Sequence, residues 1–205
     1  MSRMLVIETA TAACSVALLE NGAVIAARHE VVGRGHAERL VPMIAELPDG
    51  GRTDAILVDV GPGSFTGIRV GIAAARGLAL GWQVPVHGYS SMSVVAAGAL
   101  AHGVAGPLAV VLEGGHGEVF MQGFAASPLV SDDTLVSLRP EAAIAALEGR
   151  SAVGSGARRL LAIDSSLDVR DALPHAADVR LLPSDLTGLP PRPLYGRAPD
   201  AKLPA

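Results

Sequence analysis

The chain has 205 residues, half of them hydrophobic, which is enough to bury a sizeable core in one domain or in two small lobes sharing an interface. The three Phe, two Tyr and one Trp (Phe65, Phe120, Phe124, Tyr89, Tyr195, Trp82) are too few to fill that core, so Val, Leu, Ile and Ala must. Net charge is −4, and the 16 basic residues, all Arg except Lys202, are scattered without a run, which excludes the basic face that grips a phosphate backbone. Cys14 is the single cysteine, so there is no internal disulfide and the thiol fits a reducing compartment. At the start, Glu8 ends the apolar run too soon for a signal-peptide core. The uncharged stretch between Arg76 and Glu113 is broken by Pro85, Gly88, Ser90, Ser91, Ser93 and Pro107 into pieces too short to span a bilayer. A soluble, cytoplasmic protein without a membrane is expected.

Leu5 to Glu8 reads as a strand and Cys14 to Leu19 as a second. Asn21-Gly22 is a hairpin signal before a third, Ala23 to Val31. From Ala37 to Leu47 the apolar positions Leu40, Val41, Met43, Ile44 and Leu47 recur at three and four. A helix follows, with Pro42 expected in its first turn and Pro48-Asp49-Gly50-Gly51 as its stop. Ala55 to Val60 is a short buried strand. It leads into Gly61-Pro62-Gly63-Ser64-Phe65-Thr66-Gly67-Ile68-Arg69-Val70-Gly71, a glycine-rich turn that opens a helix over 67–81. Ser64 or Thr66 can cap that helix, and such a turn can cradle an anion, although it has neither the P-loop ending nor the dinucleotide spacing. Arg69 opposes the helix dipole, which suggests a nearby anion or protein partner as readily as an ordinary exposed arginine. A strand at Val84 to Gly88 and a helix from Ser91 to Ala101 complete the order βββαβαβα, which is that of a ribonuclease H-like module.

After His102-Gly103 the pattern restarts more weakly. Leu108 to Leu112 and Glu118 to Ala125 read as a hairpin across Gly114-Gly115-His116-Gly117. Pro140 to Leu147 reads as a helix, 151–154 as a strand, Arg158 to Ile163 as a short helix, and the stretch from Pro183 as an irregular surface segment. The expected division is a first lobe over 1–101 and a smaller, degenerate second lobe over 102–205.

The 61–71 string resembles the signature of the bacterial TsaB (YeaZ) family. Leu5-Val6-Ile7-Glu8-Thr9-Ala10-Thr11, His36-Ala37-Glu38-Arg39-Leu40-Val41-Pro42-Met43 and Pro193-Leu194-Tyr195 fit the same family. The resemblance is dense over 4–101 and thin over 102–205. It implies a two-lobed actin/Hsp70/sugar-kinase-like (ribonuclease H-like) α/β fold with a shortened second lobe. It also implies a scaffold subunit of the machinery that makes N6-threonylcarbamoyladenosine at position 37 of transfer RNAs. The implied partners are TsaD, bound through helices 37–47 and 67–81, TsaE in a larger complex, a second copy when TsaD is absent, and tRNA only indirectly.

Residue by residue, the expected interface is His36, Leu40, Met43, Ile44, Leu47, Arg69, Val70, Gly71, Ala74 and Leu78, next to the signature loop Gly61, Pro62, Gly63, Ser64, Phe65, Thr66 and Gly67. Small residues on two faces of the second helix imply burial on two sides, unless the chain itself covers both. No catalytic residue, cofactor or metal is expected. TsaD-like chains hold a metal through His-x-x-x-His where this chain has Ser91 and Val95, and no two of the histidines here are four apart. Glu8 at the first strand end is followed by a turn without glycine, too closed for phosphate to approach. The alternative is a residual hydrolase of the glycopeptidase or ATPase-fold type, built on Glu8 and on Glu113 near His116.

Overall fold

The computed structural model describes residues 2–196; Lys202 and the rest of the chain's end lie outside the described residues. Strands β1 (Arg3–Glu8), β2 (Ala13–Glu20) and β3 (Ala23–Val31) form an antiparallel meander. Asn21 and Gly22 both take positive φ, as a tight hairpin turn between right-twisted strands demands. Helix α1 (His36–Ala45) returns the chain to β4 (Ala55–Asp59), and α2 (Phe65–Trp82) leads to β5 (Val86–Tyr89), both strands parallel to β1. The first sheet has the order β3-β2-β1-β4-β5. Pro42 lies in the interior of α1 rather than its first turn. Its side chain is on the exposed face, where the carbonyl it leaves unbonded can meet water.

One face of this sheet is covered by α1 and α2: Leu40, Met43, Ile44 and Leu47, with Ile68, Ile72, Ala75 and Ala79, close over Leu5, Ile7, Val16, Leu18, Ile56 and Val58. The other face, carrying Val6, Ala17, Leu19, Leu57 and Tyr89, is covered by Val94 and by Ala176 and Val179 from far along the chain. Helix α3 (Ser91–Ala101) is buried along almost its whole length. It carries no polar stripe because sheets press on it from two sides: Val94 faces the first sheet, and Met92, Val95, Ala96 and Ala99 face the second.

The second sheet has the order β11-β10-β6-β7-β8, from β6 (Leu108–Glu113), β7 (Val119–Ala126), β8 (Leu129–Ser131), β10 (Ser151–Val153) and β11 (Val169–Arg170), with β9 (Val136–Leu138) also pairing β7. It repeats the plan of the first, an antiparallel pair with parallel strands added beyond it. Helices α4 (Pro140–Leu147) and α5 (Ala157–Leu161) cover its outer face through Ala143, Leu147 and Leu160. This is the two-lobed, ribonuclease H-like architecture with a shortened second half. The short strands β8, β9 and β11 are not anticipated from the sequence. Each is two or three residues long with no buried residue, so it leaves no hydrophobic period to read.

From Pro183 the chain is irregular but attached. Leu189 exchanges two backbone hydrogen bonds with Gly88, and the Leu194 N–H donates to the Val60 carbonyl. No helix among the described residues is long and apolar enough to cross a membrane.

Candidate functional site

The signature loop is built for a close approach within the chain. Gly63, Gly67 and Gly71 recur every four residues, on the side of α2 that faces the turn after β1. A Cβ at Gly63 would collide with the Ala10 carbonyl, one at Gly67 with the Thr9 carbonyl, and one at Gly71 with the Thr9 hydroxyl. The contact is sealed by hydrogen bonds: the Ser64 N–H donates to the Ala10 carbonyl (2.6 Å) and the Thr9 hydroxyl to the Gly67 carbonyl (2.8 Å). Ser64 is the cap, its hydroxyl accepting from the Gly67 N–H. The turn after β1 thus stands directly against the helix start. Arg69 is engaged within the chain. Its guanidinium lies 3.5 Å from the centre of the Phe65 ring and donates to the Tyr195 hydroxyl at 2.9 Å. Phe65 and Tyr195 stack with ring centres 5.8 Å apart.

Behind the loop, at the carboxyl ends of β1 and β4, lie two fully buried acids, Glu8 and Asp59. Sequence reasoning singled out Glu8 and missed Asp59, although an acid closing the apolar run 55–58 was the available signal. Asp59 accepts from the Gly61 N–H (2.8 Å) and the Ser91 N–H (3.0 Å) through one oxygen. Glu8 accepts from the Ala10 N–H (2.9 Å) and the Tyr89 hydroxyl (3.2 Å). The second Asp59 oxygen, Oδ2, has no other donor, and the two carboxyls interact directly. Burial, and then the Asp59 charge, push Glu8 well above the usual carboxylate range. Burial lifts Asp59 to about 6, against the opposing pull of its hydrogen bonds, that from Glu8 foremost. Two buried carboxyls in direct contact favour keeping a proton between them. The pair is a clasp joining β1, β4, the loop and the start of α3.

Between the lobes a cleft of about 930 Å³ is lined by Ala10, Thr11, Ser64, Arg69, Glu113 and His116, among others, and neither Glu8 nor Asp59 reaches it. Glu113 at its far wall pairs with Arg159 (3.3 Å) and is anchored through its N–H to the Ser155 hydroxyl. Ser91, at one position where TsaD-like chains hold metal, donates its hydroxyl to the Pro62 carbonyl, and Val95, at the other, is core. No group of three or more metal-ligating side chains occurs among the described residues.

The expected interface residues divide. Leu40, Met43, Ile44 and Leu47 are packed inside the chain, because they are the apolar stripe that α1 needs to cover the sheet. His36 is buried too; its Nε2–H donates to the Ala13 carbonyl (3.0 Å), so it neither caps α1 nor faces outward. Gly71 is buried against Thr9. Val70, Ala74 and Leu78 are half-buried against the same core, and Arg69 alone of the ten is exposed. A surface remains on both helices, one position away from the expected one. On α1 it is Ala37, Val41 and Ala45, with Val41 58% exposed; on α2 it is Ala73, Gly77, Leu80 and Gly81, with Leu80 83% exposed. A Cβ at Gly77 or Gly81 would meet nothing, so neither glycine serves the fold by close approach.

The family model described as TsaD: tRNA N6-adenosine threonylcarbamoyltransferase matches residues 24–136. The tRNA threonylcarbamoyladenosine biosynthesis protein TsaB of Escherichia coli (strain K12) is 40% identical over 123 residues, 58% of this chain and 53% of that protein. The protein of the same name from Haemophilus influenzae is 43% identical over 98 residues, 45% of this chain and 41% of that protein. The chain thus spans about half the length of the curated relatives it matches. Among solved structures, YeaZ from Pseudomonas aeruginosa superposes with a TM-score of 0.77 at 30% identity, over 95% of this chain and all (100%) of that one. Another P. aeruginosa structure, described as an uncharacterized protein with similarity to peptidase YEAZ, gives 0.81 at 30% identity over 96% of this chain.

Proposed function

The chain belongs to the TsaB (YeaZ) family, and from that premise we propose that it is a non-catalytic scaffold subunit of tRNA threonylcarbamoyladenosine biosynthesis in the cytoplasm, docking TsaD through α1 and α2. The observation that carries this reading is the uncovered face of those two helices. On α1 Ala37, Val41 and Ala45, and on α2 Ala73, Gly77 and Leu80, are small residues with two prominent aliphatic side chains that the chain itself does not cover. Small residues let a second helix pair approach closely, and an exposed apolar face on a soluble domain marks an interaction site. Without TsaD the same face would pair two copies of the chain.

In the assembly the chain positions TsaD, with TsaE, for transfer of the threonylcarbamoyl group. With a net charge of −4 and no basic face, it meets tRNA only through its partners. The division at 101/102 separates the docking lobe from the smaller one. The hydrolase alternative draws no support from the geometry: Glu8 is sealed behind the loop, and Glu113 pairs with Arg159 of its own lobe.

Two experiments test the reading. Gly77→Arg places a long charged side chain where nothing in the fold obstructs it. Binding of TsaD should fall by two orders of magnitude or more, on the scale of a lost interface anchor, with no lowering of the melting temperature; undiminished binding rules out this helix face. Reconstitution with tRNA, threonine, bicarbonate, ATP and the partner enzymes should require the chain, and require it equally when Glu8 is Gln. Modification that proceeds without the chain overturns the scaffold role itself.

A further inference from the structure

The face of the first sheet opposite α1 and α2 is closed by an unusual cover. Residues 175–182, reached only after the second sheet is complete, return to lie on β2, β3 and α3 with a 3₁₀ turn, Ala176–Leu181. Ala176 and Val179 are buried in the cluster with Val6, Leu19 and Val94. The Ala176 N–H donates to the Ser15 hydroxyl (3.1 Å), which donates in turn to the Arg28 carbonyl. At the start of this strap the His175 ring stacks on that of His29 from β3, with ring centres 3.8 Å apart and planes 15° from parallel. His29 Nδ1 is buried with no hydrogen-bond partner. Beside the stack is a second cavity of about 440 Å³, lined by Val94, Val95, His102 and Asp178 as well as both rings.

We propose that the His29–His175 stack is an acid-sensitive latch holding residues 175–182 on the first lobe, and that protonation of the stack releases this strap. Two neutral imidazoles at this separation attract through their ring faces; one charged ring tolerates the stack, and two repel. A proton on Nδ1 of His29 would be a buried donor without an acceptor. Burial, and then the field of His175, hold His29 below the usual imidazole range, while Asp178 pulls the other way. The remaining charges nearby are accounted for. His102 of α3, Arg170 of β11 and Asp171 line the same cavity. On β3, Arg28 and Glu30 alternate to the opposite face, engaged with Glu46 and Arg39, and β2 presents only Ser15 opposite His29. A histidine depressed in the fold contributes stability above its unfolded value, and that contribution is lost as pH falls through the folded one. The strap is the segment in direct contact, and it ties the chain of the second lobe to the sheet of the first.

Hydrogen exchange on the full chain tests this, read at the Ala176, Asp178 and Leu182 amides with intrinsic rates divided out. Protection should fall between pH 7.5 and 5, by up to about tenfold per pH unit, the limit for one proton taken up on opening. The amide of Val60, bonded to the Tyr89 carbonyl, should hold. His29→Phe keeps a stacking ring and removes the proton site, so protection should persist at pH 5. If that variant does not fold, His175→Phe at the exposed ring decides. Asp178→Asn, which depresses His29 further, should leave the onset of the loss in place and extend it to lower pH. Wild-type protection that is flat across this range, or an equal acid loss in the Phe variants, overturns the latch.

Discussion

Replacing Glu8 with Gln isolates the proton that the buried carboxyl pair retains. In the unfolded chain both acids ionise near pH 4; in the fold Asp59 is lifted to about 6 and Glu8 is pushed well above the usual carboxylate range. A carboxyl whose folded pKa is raised stabilises the fold fully below its unfolded value and progressively less as pH rises toward the folded one. For Asp59 the interval from 3.8 to about 6 corresponds to about 3 kcal/mol, at about 1.4 kcal/mol per unit, lost before neutrality. Glu8, raised by burial and then by the Asp59 charge, adds a loss of the same sign. Wherever the folded protein holds one proton that the unfolded chain does not, unfolding free energy should fall with rising pH by up to about 1.4 kcal/mol per pH unit. In Glu8→Gln the side-chain amide can donate to Asp59 Oδ2 in the proton's place without titrating, and this decline should vanish. Urea denaturation of both proteins at pH 6.5, 7.2 and 8 reads the two slopes directly. Staying below pH 8 avoids the Cys14 thiol, which burial pushes up to about 11. Parallel slopes would mean that the pair does not hold a shared proton, and the clasp would have to be redrawn as two separately ionised acids.

The glycines of the loop and of α2 should separate sharply. Gly63→Ala drives a methyl into the Ala10 carbonyl and should cost roughly 3 kcal/mol or prevent folding, whereas Gly77→Ala, in open space in mid-helix, should stabilise by about 0.5–1 kcal/mol in the same denaturation assay. Cys14 is fully buried with a raised thiol pKa, so native protein at pH 8 should react with a thiol reagent on the order of 1000-fold more slowly than unfolded chain, limited by opening. In the second lobe, Arg150 donates to the Ala146 and Leu147 carbonyls and pairs with Asp133, whose other oxygen accepts from the Gly123 N–H. Arg150→Ala should therefore cost about 2 kcal/mol in thermal or urea unfolding, and more than Arg158→Ala at the exposed Asp171 pair.

The first lobe is legible in the sequence because each of its elements is long enough to carry a period and is bounded by residues with one conformational use. The Ala23–Val31 and Ser91–Ala101 boundaries agree to the residue. Asn21-Gly22 admits little but a tight hairpin, and the stripe at 40, 43, 44 and 47 admits little but a sheet-facing helix. The second lobe is less legible for the same reason inverted. Strands such as Leu129–Ser131 and Val169–Arg170 exist because β7 and β10 offer free edges to pair with, which is a tertiary cause with no local trace. The strap 175–182 is less visible still. Its apolar residues show no helical or strand period, because they fill gaps in a face laid down more than a hundred and fifty positions earlier; Ala176 reaches Ser15, 161 residues away in sequence.

The site shows where sequence reasoning misleads. A stripe of apolar residues on a helix says that one face is buried, but the residues that make the stripe visible are those the chain uses itself. Leu40, Met43, Ile44 and Leu47 announce α1, and for that reason they are unavailable to a partner. What faces outward is the quieter set between them, Ala37, Val41 and Ala45, which a period search counts as noise. The glycines invert in the same way. Gly63, Gly67 and Gly71 look like room for a phosphate and are filled by Thr9 and Ala10, while Gly77 and Gly81, unremarkable in the string, leave open the surface on which another helix could lie. With the loop packed shut against Thr9 and Ala10, the small and apolar positions that the chain leaves uncovered are on α1 and α2. That is the physical ground on which a docking role, rather than a reaction, fits this chain best.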